Sequence, residues 1–517
     1  MYKLHHTFRI FTKRLFLKRA NYFSIPEILS LIIITFGILV RLVQYLFNRS
    51  LWADEAVLAL NIVDRSFLGL LQPLDYEQGA PIGFLIVEKL AVHLFGNNEY
   101  ALRLFPLLSG IISLFLFYLL AKRLLERQAV PIGLAFFASL YYLVYYSFEV
   151  KQYSTDVAVA LLCCLMAMHL GSPKLKSDQT VTFSIAGAIA IWFSHPAIFV
   201  LTGVGITSIL IRIVRREKLR FNRIAVIFSS WLFSFAAFYW VSLRSLSGNE
   251  DLMTSWEDAF PSSPFDIIWL LDAFGKFFYR PLGFQEIMDG LAIISFVVGC
   301  IACYRRKKEA LWLLLSPVIV TFLAAYLQKY PFRSRLVLFL APFVILLMAE
   351  GIDYLMRRVR SKPINIAGIV LLVVLLYSPV VDSSKLLVQP YWREEIKPII
   401  SYVKTHQQPG DVLYIFQRGE YQFKYYAEKY GYQEGDYIIG VDDLDKQDGK
   451  RHLSDAERER YQKDLDKLRG NKRVWLLFSH ANVDSENEMV KTYLDSIGKQ
   501  VDFFERPGAF VYLYDLT

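Results

Sequence analysis

The sequence predicts a mainly α fold: a polytopic membrane bundle of about eleven spans, interfacial helices in the first outer loop, and a small α/β domain after the last span. Three observations predict it. The 517 residues are 55% hydrophobic with a mean hydropathy of +0.34, above the about 45–50% apolar content usual in soluble proteins. Apolar runs long enough to cross a bilayer recur along most of the chain. Near residue 385 the composition changes, and short apolar segments bounded by Gly, Asp and basic residues replace the long runs.

The chain starts with "MYKLHHTFRIFTKRLFLKRANYF", ahead of an apolar run too long for a signal peptide. Residues 1–25 are therefore expected to be a retained cytoplasmic basic arm. Spans are expected at 26–47, 101–121, 130–147, 154–170, 181–194, 197–213, 224–243, 287–304, 310–328, 335–355 and 364–381. The fifth and sixth are short, and "SHPA" between them allows a broken helical hairpin instead. Residues 26–384 make up the membrane domain, with the key outer loop at 48–100, and residues 385–517 the outer α/β domain.

Charge placement orients the bundle. With the N-terminus inside, the arm and the inner junctions ("KRLLERQ", "SPKLKSDQT", "RIVRREKLRFNR", "YRRKKE", "MRRVRSKP") hold 25 Lys and Arg, while the short outer turns hold few. That is the positive-inside pattern, and an odd count then places the C-terminal domain outside. The net charge of +9 points to no nucleic-acid partner. From residue 385 on there are 20 Lys and Arg against 23 Asp and Glu, so the positive excess sits in short membrane loops. Cys163, Cys164, Cys300 and Cys303 lie inside apolar runs, and "CIAC" has neither a second pair nor a nearby His, so they are read as buried structural residues.

Three outer segments are long: 48–100, 244–286 and 385–517. The first carries "LWADEA" and then "PIGFLIVEKLAVHLFG", an apolar stretch with Glu88 and Lys89 inside that suits an interfacial helix. In the tail, "DVLYIFQ" and "RVWLLFS" read as strands. "AERERYQKDLDKLRG" and "ENEMVKTYLDSIG" read as helices, and "VDFFERPGAFVYLYDL" as a terminal hairpin turning at Pro-Gly. The aromatics of "YQFKYYAEKYGY" pack on this domain's core or on the membrane portion, or bind an acceptor sugar. No dinucleotide or P-loop fingerprint is present.

Ionisable residues at membrane depth are costly and usually functional. On this topology they gather at the outer interface: Arg41, Asp54, Glu55, Glu77, Gln78, Arg103, Glu149, Lys151, Tyr153, Asp156, His195, Arg333 and Arg335. Each has a plainer reading. The arginines snorkel, Glu149 and Lys151 pair structurally, His195 ends a helix before Pro196, and Asp156 and the Asp54–Glu55 pair sit in first helical turns. Convergence on one level favours a wet polar cavity.

"LWADEA", then "YEQGAPIGFL", "LRLFP" and "YYSFEVKQYS" resemble the GT-C membrane glycosyltransferases. The nearest branch is the one related to the protein O-mannosyltransferases and the lipid A aminoarabinose transferase. The likeness covers roughly residues 30–355. It implies a sugar donor on a polyprenyl-phosphate carrier, transfer on the extracytoplasmic side of a bacterial inner membrane, and an acidic pair in the first loop. The acceptor is a lipid, polysaccharide or protein, and membrane lipids surround the bundle. The chain departs from the aminoarabinose-transferase pattern where an acid is followed by Lys and two prolines: here Glu77 precedes Gln78, Gly79, Ala80 and Pro81. The lysine expected on the carrier phosphate is missing, and Lys151, Arg333 or Arg41 must replace it.

Sugar transfer needs an acceptor hydroxyl deprotonated in the transition state and a leaving phosphate stabilised by fixed positive charge. Asp54, by resemblance and position, is the expected general base, with Glu55 and Glu77 as the other candidate catalytic acids. The neighbouring carboxylate and partial burial are expected to raise the pKa of Asp54. Arg333 and Arg335, supported by Lys151, are expected on the phosphate; Arg41, Gln78, Arg103, Glu149, Tyr153 and His195 complete the candidate binding set. No cofactor is expected, and a divalent ion on Asp54 and Glu77 is the alternative. Competing functions are a flippase of lipid-linked glycan, a glycan polymerase and a non-catalytic relative. Against a transporter, no internal repeat with broken mid-membrane helices is visible.

Overall fold

The computed structural model describes residues 24–170, 172, 175–244, 256–357, 359, 361–441, 454–480 and 484–517. The basic arm lies outside these except for its last two residues, as does part of the 244–286 loop.

Eight described helices are long and apolar enough to cross a membrane: Ile25–Leu46, Glu99–Leu124, Ala197–Val214, Phe221–Leu243, Ile287–Arg306, Lys308–Tyr326, Ser334–Arg357 and Lys362–Lys385. Ala129–Ser139 and Tyr141–Phe148 make a ninth if counted as one span bent by 65°. The bend falls at Leu140, whose ψ of 130° is extended and interrupts the hydrogen-bond ladder. The remaining two predicted spans fall on shorter helices, Tyr153–Ala167 with 15 residues and Ser177–Phe193 with 17. A bilayer needs about 20, so length and composition alone give eight or nine spans where eleven were expected. His195 and Pro196 separate Ser177–Phe193 from Ala197–Val214.

The Ser334–Arg357 segment is the centre of the bundle, with 94% of its apolar window buried, whereas only 11% of the Lys362–Lys385 window is buried. Apart from Glu350, "APFVILLMAEG" is apolar all round, as a central helix requires. It meets Ile287–Arg306 backbone to backbone: a methyl group on Gly351 or Gly299 would run into the main chain of the other helix.

At the Asp54 end, the first span is followed by two helices, Ala53–Asp64 and Ile82–Phe95. The C-terminal part holds a five-stranded mixed sheet in the order β2-β1-β3-β5-β4. The strands are β1 Val412–Ile415, β2 Ile438–Ile439, β3 Val474–Ser479, β4 Lys499–Arg506 and β5 Ala509–Asp515. β1 runs parallel to β2 and β3, and β5 antiparallel to β3 and β4. All six residues of β3 are buried, which explains why "VWLLFS" shows no alternation. The expected hairpin is β4–β5, with Gly508 at φ +68° supplying the left-handed turn residue. The two helices read from the tail are Asp455–Asp466 and Asp484–Ile497.

Candidate active site

Asp54 and Glu55 are successive residues in the first turn of the Ala53–Asp64 helix. Successive helical residues point about 100° apart, so the pair divides between two environments.

Glu55 turns inward and is fully buried. Arg103 forks onto it, Nε donating to Oε1 at 2.9 Å and Nη2 to Oε2 at 2.7 Å. Arg49 adds an ion pair at 3.2 Å, and the Val150 amide donates to Oε1 at 2.8 Å. Arg49 also pairs with the buried Glu149, which accepts from the Trp52 indole at 2.5 Å. Burial alone would raise the Glu55 pKa, but Arg103 and Arg49 outweigh it and hold the carboxyl below its ordinary value. Glu55, Arg103, Arg49 and Glu149 therefore form a closed ionic knot that fixes the loop. The sequence expected Glu55, Arg103 and Glu149 to face substrate and did not single out Arg49. A basic residue just beyond the first span was the available signal.

Asp54 turns to a partly open space, with its side chain 17% exposed. Lys151 donates to Oδ1 at 3.0 Å and Arg335 to Oδ2 at 2.5 Å. These cations come from the turn before the Tyr153–Ala167 helix and from the start of the central Ser334–Arg357 segment. The expected rise in the Asp54 pKa is overturned. Burial does push it up, but Lys151 and Arg335 hold the carboxyl far below the usual carboxylate range, and Glu55 faces its own arginines. Burial also lowers the Lys151 ammonium from its ordinary value, with Asp54 opposing. The Lys151 ammonium further donates to Gln78 Oε1 at 2.8 Å. Lys151 thus stands against the residue that replaces the missing lysine. The Arg335 guanidinium lies 5.6 Å from the Tyr153 ring centroid, and Tyr153 packs edge-on against Tyr146.

The other candidates lie apart. Arg41 is buried inside its span and donates to the Gly37 and Leu143 carbonyls at 2.9 and 3.0 Å, so it braces the bent helix pair. Glu77 is exposed, at φ +55° in the turn beside Gln78. His195 packs against Phe238, and its Nε2 meets no hydrogen-bond partner among the described residues. Asp156 is buried one turn along from Tyr153, and its Oδ1 likewise has no partner among the described residues. Arg333 is separated from Arg335 by Ser334 at φ +48° and turns the other way, to Asp258 at 3.3 Å. There it lines a cleft with Lys276 and Arg280. Among the described residues, no group of three or more His, Cys, Asp or Glu could hold a metal ion.

The sequence missed the part played by the C-terminal region. Trp52 stands at the N-cap of the Asp54 helix, but its side chain accepts no bond from the first-turn amides. The Ala53 amide is instead satisfied by Glu394 Oε2 at 2.9 Å. Glu394 also accepts from Gln422 at 3.0 Å and pairs with His480 at 2.7 Å. Glu395 accepts from the Ser50 hydroxyl at 3.0 Å, and the Arg393 guanidinium lies over the Trp52 ring, 3.2 Å from its centroid. Tyr426, within the aromatic stretch "YQFKYYAEKYGY", donates to Glu99 at 2.8 Å and accepts from the Leu51 amide at 2.8 Å. Some of those aromatics therefore clamp the acid-bearing loop. "WREE" just past the last span was the only signal. Glu394→Ala would leave the Ala53 amide without its acceptor and Gln422 with the Leu51 carbonyl alone. It is expected to lower stability by about 1–3 kcal/mol and to reduce turnover; thermal unfolding and initial rates check both.

A multi-span helical protein with a charged, partly enclosed site at one end of the bundle is the class that fold and geometry define. The family model described as dolichyl-phosphate-mannose-protein mannosyltransferase matches residues 79–240. A curated relative, undecaprenyl phosphate-alpha-4-amino-4-deoxy-L-arabinose arabinosyl transferase 2 of Proteus mirabilis, is 25% identical over 353 residues. The match covers 62% of this chain but 59% of that one, less than two thirds of its length. The fold is similar to crystal structures of ArnT from Cupriavidus metallidurans. For the apo state the TM-score is 0.51 at 14% identity, covering 91% of this chain and 96% of that one. For the form bound to undecaprenyl phosphate it is 0.52 at 13%, covering 94% and 97%. The chain is a multi-pass membrane protein whose fold is similar to that of ArnT and whose sequence is similar to the arabinosyl transferase and, over residues 79–240, to the mannosyltransferase family model.

Proposed function

We propose that the chain is a glycosyltransferase that moves a sugar from a polyprenyl-phosphate carrier to a hydroxyl acceptor on the extracytoplasmic side, with inversion at the anomeric carbon. The observation that carries this reading is Asp54 held between Lys151 and Arg335, three residues from three separate elements converging at one end of the bundle. The relative named as an arabinosyl transferase using an undecaprenyl phosphate donor supports the donor class.

An anionic phosphate attracts the same two cations that hold Asp54. As the phosphate takes them, the carboxylate loses its stabilising partners and becomes a stronger base. The acceptor O–H then gives its proton to Asp54 while its oxygen bonds to the anomeric carbon. The bond from that carbon to the phosphate oxygen breaks, and the polyprenyl phosphate leaves with charge shared by Lys151 and Arg335. Lys151 takes the part of the missing lysine. Tyr153 and Tyr146 supply an aromatic wall for the sugar.

The test is turnover of purified protein in detergent against a panel of polyprenyl-phosphate sugars, following released polyprenyl phosphate. Release that needs a hydroxyl acceptor supports the reading. Activity confined to sealed vesicles, with no bond broken, would instead identify a flippase. Sidedness is tested separately. Ser263 and Lys218 are both exposed, on opposite sides of the predicted topology. Ser263→Cys is expected to react with an impermeant thiol reagent in intact cells and Lys218→Cys is not; the reverse pattern inverts the orientation.

A further inference from the structure

A basic cleft lies at the end of the bundle away from Asp54. The Glu99–Leu124 helix gives the separation: Arg103 touches Glu55 at its start and Arg123 lies 20 residues later, about 30 Å along the axis at 1.5 Å per residue. Arg123, Arg212, Arg215, Arg306, Lys307 and Lys308 line one cavity of about 480 Å³. They come from the ends of four bundle helices and the turn between two of them.

Carboxylates answer part of this charge. Arg306 pairs with Glu126 and with Glu350 at 2.6 Å, Lys307 lies 3.6 Å from Glu126, and Glu309 and Glu217 take Arg215 and Arg212 at 2.6 Å each. Among the described residues, two of these cations meet no carboxylate in an ion pair. Arg123 faces His169 Nε2 at 3.4 Å, and Lys308 sits 4.7 Å from the Tyr304 ring centroid. The lining continues into apolar Leu124, Met168, Ile211 and Leu313. A site with cations at the helix ends and a greasy wall between helices matches a molecule with an anionic head and hydrocarbon tails.

We propose that this cleft binds the phosphate headgroup of an anionic phospholipid, with Arg123 and Lys308 as its principal contacts and the acyl chains along the Met168, Ile211 and Leu313 wall. Basic recesses between spans at a membrane surface favour such headgroups. The site is distinct from the transfer chemistry and stands whether or not that reading holds.

The test is native mass spectrometry of the full chain released from nanodiscs containing equal phosphatidylglycerol and phosphatidylcholine. Wild type is expected to retain phosphatidylglycerol selectively, and the Arg123→Gln/Lys308→Gln double variant to lose that selectivity about tenfold or more. Both side chains lie at helix ends outside the ion-pair knot, and an unchanged thermal midpoint confirms that the variant folds. Equal retention of the two lipids by wild type overturns the proposal, as does selectivity untouched by the double substitution. Displacement of the lipid by millimolar inorganic phosphate alone would also overturn it, by showing a free-anion site.

Discussion

Asp54→Asn is expected to lower turnover about 10²–10⁴-fold, the usual contribution of a positioned general base, without raising the KM for the carrier-linked donor. The two halves of that expectation have separate origins. Asparagine is nearly isosteric but accepts no proton at neutral pH, so the acceptor hydroxyl must attack without help. It also removes the negative charge facing Lys151 and Arg335, leaving both cations freer for phosphate. A purely structural role for Asp54 would lower protein yield and weaken donor binding together. Rate and donor affinity measured on the same purified variant separate the cases, and wild-type turnover would remove Asp54 as the base.

The same geometry fixes a pH dependence. The free protein holds Asp54 far below the ordinary carboxylate value, so it is ionised throughout the neutral range. The ion pair's contribution to stability is present above the unfolded carboxylate value of about 4 and disappears only as pH falls through the lower folded value. Lys151 is lowered from the ordinary Lys value, so the phosphate clamp weakens on the alkaline side sooner than an exposed lysine would dictate. kcat/KM for the donor is therefore expected to be flat from pH 5 through neutrality and to fall toward alkaline pH. An acid limb near pH 6 would contradict the assignment.

Glu55→Gln is the change expected to harm the fold most. It leaves Arg103 and Arg49, both buried, with their shared carboxylate gone and Glu149 alone to balance them. Removing one partner from a buried charge cluster costs about 3–5 kcal/mol, because the remaining charges lose solvation and compensation together. A lower thermal midpoint and a lower yield of monodisperse protein are the expected readouts. The contrast with Asp54→Asn, expected to lower the thermal midpoint less because Asp54 is partly exposed where Glu55 is fully buried, would separate the two adjacent acids by role.

That contrast also marks what the sequence could convey. Hydropathy located the helices because long apolar runs are a local signal, and charge placement drew Asp54, Lys151 and Arg335 to one level. It could not divide Asp54 from Glu55, since the division depends on which face of one helical turn meets Arg103. Arg333 and Arg335 looked equivalent two residues apart; the left-handed backbone at Ser334 sends them to different clefts. Arg41 resembled a phosphate ligand until its carbonyl partners were visible. The Glu394 contact was out of reach because its two ends are 341 residues apart.

That separation has a consequence for biosynthesis. At about 5–20 residues per second, roughly 20–70 s pass between the emergence of Ala53 and that of Glu394. Throughout that interval the nascent chain carries Asp54 on a helix whose first amide has no acceptor from Glu394. Lys151 and Arg335 are translated well before the clamp that squares the loop to them. The Asp54 site is thus completed by nearly the last quarter of the polypeptide, and a chain that stalls after its final span would hold all three charged groups without their finished alignment.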